Sequence, residues 1–215
     1  MADIEVVKSN ILGEFCSPLI GNYGGDYSFA GMFFARAALD SSVICTNLNP
    51  HSEQNGIVVL DILKLFGARV TRSGDSVNVR FEKLKGCHVD ISEFSQIAPI
   101  IALLALFATG KTRISGFGNC EPLQMLIIEN LNALGAKCEF NDTDLWIWPQ
   151  RSVQHGVLNA KNHPYMAMAL ILISTYTPGT TVIRNIDGLI KRYPEFIDTI
   201  KSLGGQVHLC ELTLI

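Results

Sequence analysis

Two adjacent cations, Lys191 and Arg192, stand ahead of Tyr193-Pro194 and of a last helix expected over Glu195 to Leu203. Positive side chains at a helix N-terminus oppose its dipole by roughly a few tenths of a kcal/mol. A bound anion would account for them, and so would a solvated pair whose stems lie on apolar surface. His163, in Asn162-His163-Pro164, opens another helix, where a histidine serves either as part of the cap or as a ligand or acid-base group. Gly24-Gly25 suggests a phosphate cradle, but no Gly-x-Gly-x-x-Gly or Gly-Lys-Ser/Thr follows, so a turn into a helix capped by Asp26 is the better reading. The six cysteines (Cys16, Cys45, Cys87, Cys120, Cys138, Cys210) include no Cys-x-x-Cys, which indicates neither a zinc site nor a disulfide framework. Reduced thiols, and chemistry without metal or cofactor, are expected.

The elements that must carry these residues are organised around three apolar helices. From Ile97 to Ala108 every residue is apolar, so no face suits water and the helix must be buried all round. Twelve such residues reach only about 18 Å, short of the roughly 30 Å of a bilayer core, which makes this a core helix. Tyr27 to Leu39, with Arg36 as its one charge, and Tyr165 to Thr175 read the same way. Gly67, Gly135 and Gly204, each closing a Leu-Gly or Phe-Gly helix end, lie 68 and 69 residues apart, and Ser41, Gly110 and Gly179 keep a step of 69. The expected fold is therefore α/β (α+β): three repeated units of about 69 residues, each buried helix, strand, amphipathic helix, strand, strand. Helices lie inside and small sheets outside. Residues 1–25 read as a lead-in arm with a strand at Ile4 to Val7, and the units as about 26–86, 87–152 and 153–215 of a single domain. Ser52 is expected to cap the helix carrying Ile57, Leu60, Leu63 and Phe66, and hairpin turns are expected at Arg72-Ser73-Gly74-Asp75 and Asn141-Asp142-Thr143-Asp144, with final strands at Gln206 to Cys210 and Leu212 to Ile215.

With 215 residues, 48% of them hydrophobic, the chain can bury one large core. Its net charge is only −3, from 17 Lys+Arg and 20 Asp+Glu, and no basic run interleaves with aromatics, which argues against nucleic acid or a membrane surface as partner. The first residues, Met1-Ala2-Asp3-Ile4-Glu5, lack the basic and apolar regions of a secretion signal, so a cytoplasmic location is expected.

Several stretches, in register with the three units, resemble the 5-enolpyruvylshikimate-3-phosphate synthase family in its C-terminal part. Asp26-Tyr27-Ser28-Phe29-Ala30 resembles that family's Asp-x-Ser-Ser-Ala helix start, and Ser52-Glu53-Gln54-Asn55-Gly56 stands where the family has Ser-x-Gln-Gly-Asp. Val89-Asp90-Ile91 through Gly110 resembles its Asp-x-x-x-x-Pro-Asp helix start and Leu-Phe-Ala-x-Gly ending, and Lys191-Arg192-Tyr193-Pro194 resembles its Lys-Ser/Thr-Phe/Tyr-Pro. The related UDP-N-acetylglucosamine enolpyruvyl transferases share the repeat but fit these motifs less well.

The resemblance implies helix N-termini facing a second, similar domain across a cleft, and as ligands phosphoenolpyruvate and shikimate 3-phosphate. It implies catalytic roles for Glu121 and Lys191 and substrate contacts from Gln96, Asn119, His163 and Arg192. The chain departs from the family where chemistry would occur. Gln96 stands at the family's proton-accepting Asp, Asn119-Cys120-Glu121-Pro122-Leu123 replaces Lys-Glu-Ser/Thr-Asp-Arg, and Tyr165 replaces a phosphate-binding Arg. The expectation is thus a transferase fold that is inactive alone. It either keeps a binding or structural role or pairs with a separate N-terminal half or another copy of itself.

Overall fold

A computed structural model describes residues 1–18, 24–118, 121–141 and 143–211. Three helices form the centre: α1 (Tyr27–Asp40), α3 (Ala98–Ala105) and α5 (Pro164–Ser174), all packed against one another. Tyr27 to Leu39 is buried throughout, as are Ala98 to Ala105 and Met166 to Ser174, in keeping with sequences that offer water no face. Asp26 caps α1, its Oδ1 accepting from the amides of Ser28 and Phe29 at 2.8 and 3.0 Å. Pro99 and Pro164 occupy the first turns of α3 and α5, where a missing N–H costs nothing.

Around this centre lie three four-stranded sheets. The strands are β1 (Ala2–Val7), β2 (Gly13–Cys16), β3 (Ser42–Thr46), β4 (Arg69–Ser73), β5 (Ser76–Arg80), β6 (His88–Asp90), β7 (Thr112–Ser115), β8 (Cys138–Asn141), β9 (Asp144–Ile147), β10 (Val157–Asn159), β11 (Thr180–Arg184) and β12 (Gln206–Glu211). Their orders are β2-β3-β5-β4, β6-β7-β9-β8 and β10-β11-β1-β12. In each sheet the first pair is parallel and the next two are antiparallel. The residue following the second strand of each sheet, Asn47 (φ 62°), Gly116 (φ 87°) or Asn185 (φ 59°), adopts the left-handed conformation. These positions are 69 residues apart and reverse the chain into the next segment.

The first residues do more than lead in. β1 runs between β11 and β12, with Ile4 opposite both Ile183 and Leu209, while β2 lies parallel to β3. Ile4 and Val6 are fully buried. β1 thus fills, in the third sheet, the place that β5 and β9 hold in the other two.

Of the outer helices, α4 spans Glu121–Ala133. The helix expected from a Ser52 cap instead begins as a 3-10 turn at Asn55–Ile57 and becomes α2 at Val58–Phe66. Ser52 Oγ accepts from the amide of Gln54, within a turn, and caps nothing. Lys191 and Arg192 do not precede the last helix, α7 (Phe196–Ser202), as cations at its N-terminus. They form the last turn of a short helix, α6 (Asp187–Arg192), where positive charge suits the carbonyl end. The strand expected over Leu212 to Ile215 lies outside the described residues. No helix among the described residues is long and apolar enough to cross a membrane.

Candidate functional site

The starts of α3, α4 and α5 and the end of α6 surround a cavity of about 560 Å³ lined by Ser95, Gln96, Pro122, Leu123, His163, Pro164, Tyr165 and Arg192. Each contributor is held by a local device. Gln96 sits in the 3-10 turn Ser95–Ile97 that leads into α3. His163 is the N-cap of α5, and its Nδ1 accepts from the Met166 amide at 3.2 Å. Two residues in the left-handed region, Lys161 (φ 45°) and Asn162 (φ 60°), turn the chain sharply just before it.

Arg192 is positioned from two sides. The start of α6 is tied to β1: the Ala2 amide donates to the Asp187 carboxylate at 3.2 Å, and the Asn185 amide donates to Asp3 Oδ1 at 3.0 Å. Gly188 lets α6 pass so close to the Asn162 carbonyl that a Cβ there would lie 1.9 Å from its oxygen. At the other end, the Arg192 guanidinium lies 5.5 Å from the Tyr193 ring centre and 6.0 Å from that of Tyr165. The two tyrosine hydroxyls are 3.1 Å apart, and Phe29 of α1 packs on Tyr193 at 5.6 Å. Burial pushes the Tyr193 hydroxyl far above the ordinary phenol range.

Burial also lowers the His163 pKa below its ordinary value, so the ring favours its neutral form. With Nδ1 accepting from the backbone, the neutral ring carries its proton on Nε2 and is a donor there. No Asp or Glu is among the described lining residues, and Arg192 is their one cation. The cavity therefore offers amide, imidazole, hydroxyl and guanidinium donors beside helix starts, a combination suited to a phosphate or carboxylate. Its described lining offers no carboxylate to take a proton. Among the described residues, no cluster of three or more His, Cys, Asp or Glu could hold a metal ion.

The cavity brings together Gln96, His163 and Arg192. Lys191 is exposed on α6 and is not in its lining, because successive helical residues point about 100° apart. Glu121 is exposed at the first residue of α4, next to the lining Pro122 but outside the wall itself. Asn119 lies outside the described residues. Gln54, in the stretch resembling a family motif, is committed to the fold: its Oε1 accepts from the Tyr27 amide at 3.1 Å and its Nε2 donates to the Gly25 carbonyl at 2.8 Å. The tyrosine pair supporting Arg192 was missed, although Tyr165 and the adjacent Arg192-Tyr193 were its sequence signal.

A neutral buried cap has a pH signature. The unfolded histidine has an ordinary pKa near ~6.5, and the folded one lies lower, so the unfolded chain binds more protons in between. The contribution of His163 is complete above the unfolded pKa and is lost as pH falls through the folded one. Stability to urea should accordingly fall below about pH 6.5, by at most about 1.4 kcal/mol per pH unit from this group. His163→Asn keeps a capping side chain and should remove that part of the slope. An unchanged slope in this variant would refute the assignment.

The family model described as EPSP synthase (3-phosphoshikimate 1-carboxyvinyltransferase) matches residues 22–200. The 3-phosphoshikimate 1-carboxyvinyltransferase of Methanocaldococcus jannaschii is 30% identical over 192 residues, covering 86% of this chain and 44% of that protein. That of Methanocorpusculum labreanum is 31% identical over 213 residues, covering 95% and 50%. Among solved structures, EPSP synthase from Acinetobacter baumannii superposes with a TM-score of 0.75 at 19% identity, over 87% of this chain and 47% of that one. The enolpyruvyl transferase NikO from Streptomyces tendae gives 0.67 at 23% identity, over 86% and 44%. The chain spans about half the length of these relatives.

Proposed function

We propose, since this chain belongs to the EPSP synthase (3-phosphoshikimate 1-carboxyvinyltransferase) family, that its cavity is one wall of an enolpyruvyl-transferase cleft and holds a phosphate- or carboxylate-bearing small molecule without carrying out transfer alone. The observation that carries this reading is the lining itself: Gln96, His163 and Arg192 converge as donors, with no carboxylate among the described lining residues. Phosphoenolpyruvate and shikimate 3-phosphate are the ligands the family suggests. Half of a cleft leaves a bound anion partly in water, where each contact is screened, so binding is weak.

Titrating the isotope-labelled chain with each compound, and following amide shifts around Gln96, His163 and Arg192, tests it. Arg192→Ala should weaken binding about tenfold, the loss of one charge-assisted hydrogen bond of about 1.4 kcal/mol. Lys191→Ala should have a smaller effect, because Lys191 stands outside the lining. Equal affinity in the wild type and in Arg192→Ala would overturn the assignment.

A second reading, in which the chain is one subunit of a split transferase, rests on a described lining that supplies donors and no carboxylate. A complementary half would then supply the other wall and the missing acid-base groups.

A further inference from the structure

At the opposite ends of the buried helices, where α3 and α5 finish, lies a separate cavity of about 340 Å³ whose lining includes Lys8, Phe107, Gln150, Arg151, Tyr176 and Thr177. We infer that this cavity is a second ligand site, one that takes a small carboxylate carried on a flat apolar ring. Its walls are built by Arg36, which is fully buried behind them. The Arg36 guanidinium donates from Nε to Thr175 Oγ1 at 2.7 Å and from Nη2 to the Ser9 carbonyl at 3.0 Å, while pairing with Asp40. It thereby ties the segment carrying Lys8 to the segment carrying Tyr176 and Thr177. It also lies 5.4 Å from the Tyr176 ring centre, and Phe107 meets the same ring edge to face at 4.9 Å. The aromatic wall is held before any ligand arrives.

The charge around this cavity is unbalanced. Lys8 and Arg151 line it, no Asp or Glu is among its described lining residues, and neither cation forms an ion pair among the described residues. Three of the carbonyls at these helix ends already have partners. Leu106 O accepts from the Gln150 amide at 2.8 Å, Ile173 O from Thr177 at 3.1 Å and Thr175 O from Ser9 at 2.8 Å. Two free cations suit a carboxylate, and the Phe107–Tyr176 pair suits the face or edge of a ring. An inorganic anion would use the cations and leave the wall untouched. The volume is at the lower end for small-molecule pockets, which suits a ligand with a single ring.

Benzoate is the probe. Titrated into the isotope-labelled full chain, it should give saturable amide shifts at residues 150–153 and 176–177. The Lys8→Ala/Arg151→Ala double variant should weaken this binding at least tenfold, and Arg192→Ala should leave it unchanged. Both altered residues are exposed, so the variant should melt with the wild type. Undiminished binding in the double variant, shifts confined to the Arg192 cavity, or inorganic phosphate saturating the same amides as tightly as benzoate would each overturn the proposal.

Discussion

Incubated alone with phosphoenolpyruvate and shikimate 3-phosphate, the purified chain is expected to release no inorganic phosphate above the uncatalysed rate. Enolpyruvyl transfer needs a proton taken from the shikimate hydroxyl, a proton delivered to the enol carbon, and counter-charge for a phosphate and a carboxylate. Gln96 can do neither proton step, and the Nδ1 of His163 is occupied by the Met166 amide. Glu121 stands exposed outside the described cavity wall, and that wall carries a single cation. Loss of a positioned acid-base group alone costs about 10² to 10⁴ in rate. Turnover by the chain alone, abolished in Glu121→Gln or Lys191→Ala, would refute the inactive reading. Turnover that appears only when a second protein supplies the other half would instead support the split transferase.

Deleting residues 1–7 should abolish cooperative folding, although it removes only the start of the chain. β1 is hydrogen-bonded on both sides, so its loss exposes the inner edges of β11 and β12 together and opens the core at Ile4 and Val6. The milder Ile4→Ala should cost about 3 kcal/mol, as deletions of fully buried isoleucine side chains do. The site should suffer too, since Asp3 and the Ala2 amide anchor the start of α6 and hence Arg192. Urea unfolding measured by tryptophan fluorescence and near-ultraviolet circular dichroism is the test. A truncated chain within about 1 kcal/mol of the wild type would show that β1 is an accessory strand.

The central helices could be read from the sequence because an unbroken apolar run leaves burial as its only outcome, and Asp26 announced the start of α1. The place of β1 could not. Its partners lie between 173 and 209 residues away, and the alternation in Ala2–Val7 says that one face is buried without saying against which strands. Helix α6 was hidden by its length, six residues being too few to show a period. That omission turned the meaning of Lys191 and Arg192 around, from charges opposing a helix start to charges suiting a helix end. At the site, family likeness pointed to Gln96, His163 and Arg192 as substrate contacts, and these share one cavity, but it gave the catalytic role to Lys191 and Glu121. The rotation of α6 puts Arg192, and not Lys191, in the cavity's lining. The 69-residue step from Asn47 to Gly116 to Asn185 was present in the sequence, yet its members share a backbone angle rather than a side chain.

The position of β1 also means that the order of segments along the chain can be rearranged. Ala2 lies directly opposite Glu211 on the neighbouring antiparallel strand, the arrangement that a tight hairpin turn joins elsewhere in this protein between β4 and β5 and between β8 and β9. A circular permutant could begin at Gly13 and end with β1, reached from β12 through a short turn. All three sheets would then close with a hairpin drawn from their own stretch of chain. The opened segment between Val7 and Gly13, five residues long, is the crossing from the third sheet to the first, so another folded domain spliced in there would part no paired strands, and its cost would be the Ser9–Thr175 and Leu12–Leu203 hydrogen bonds and the burial of Ile11.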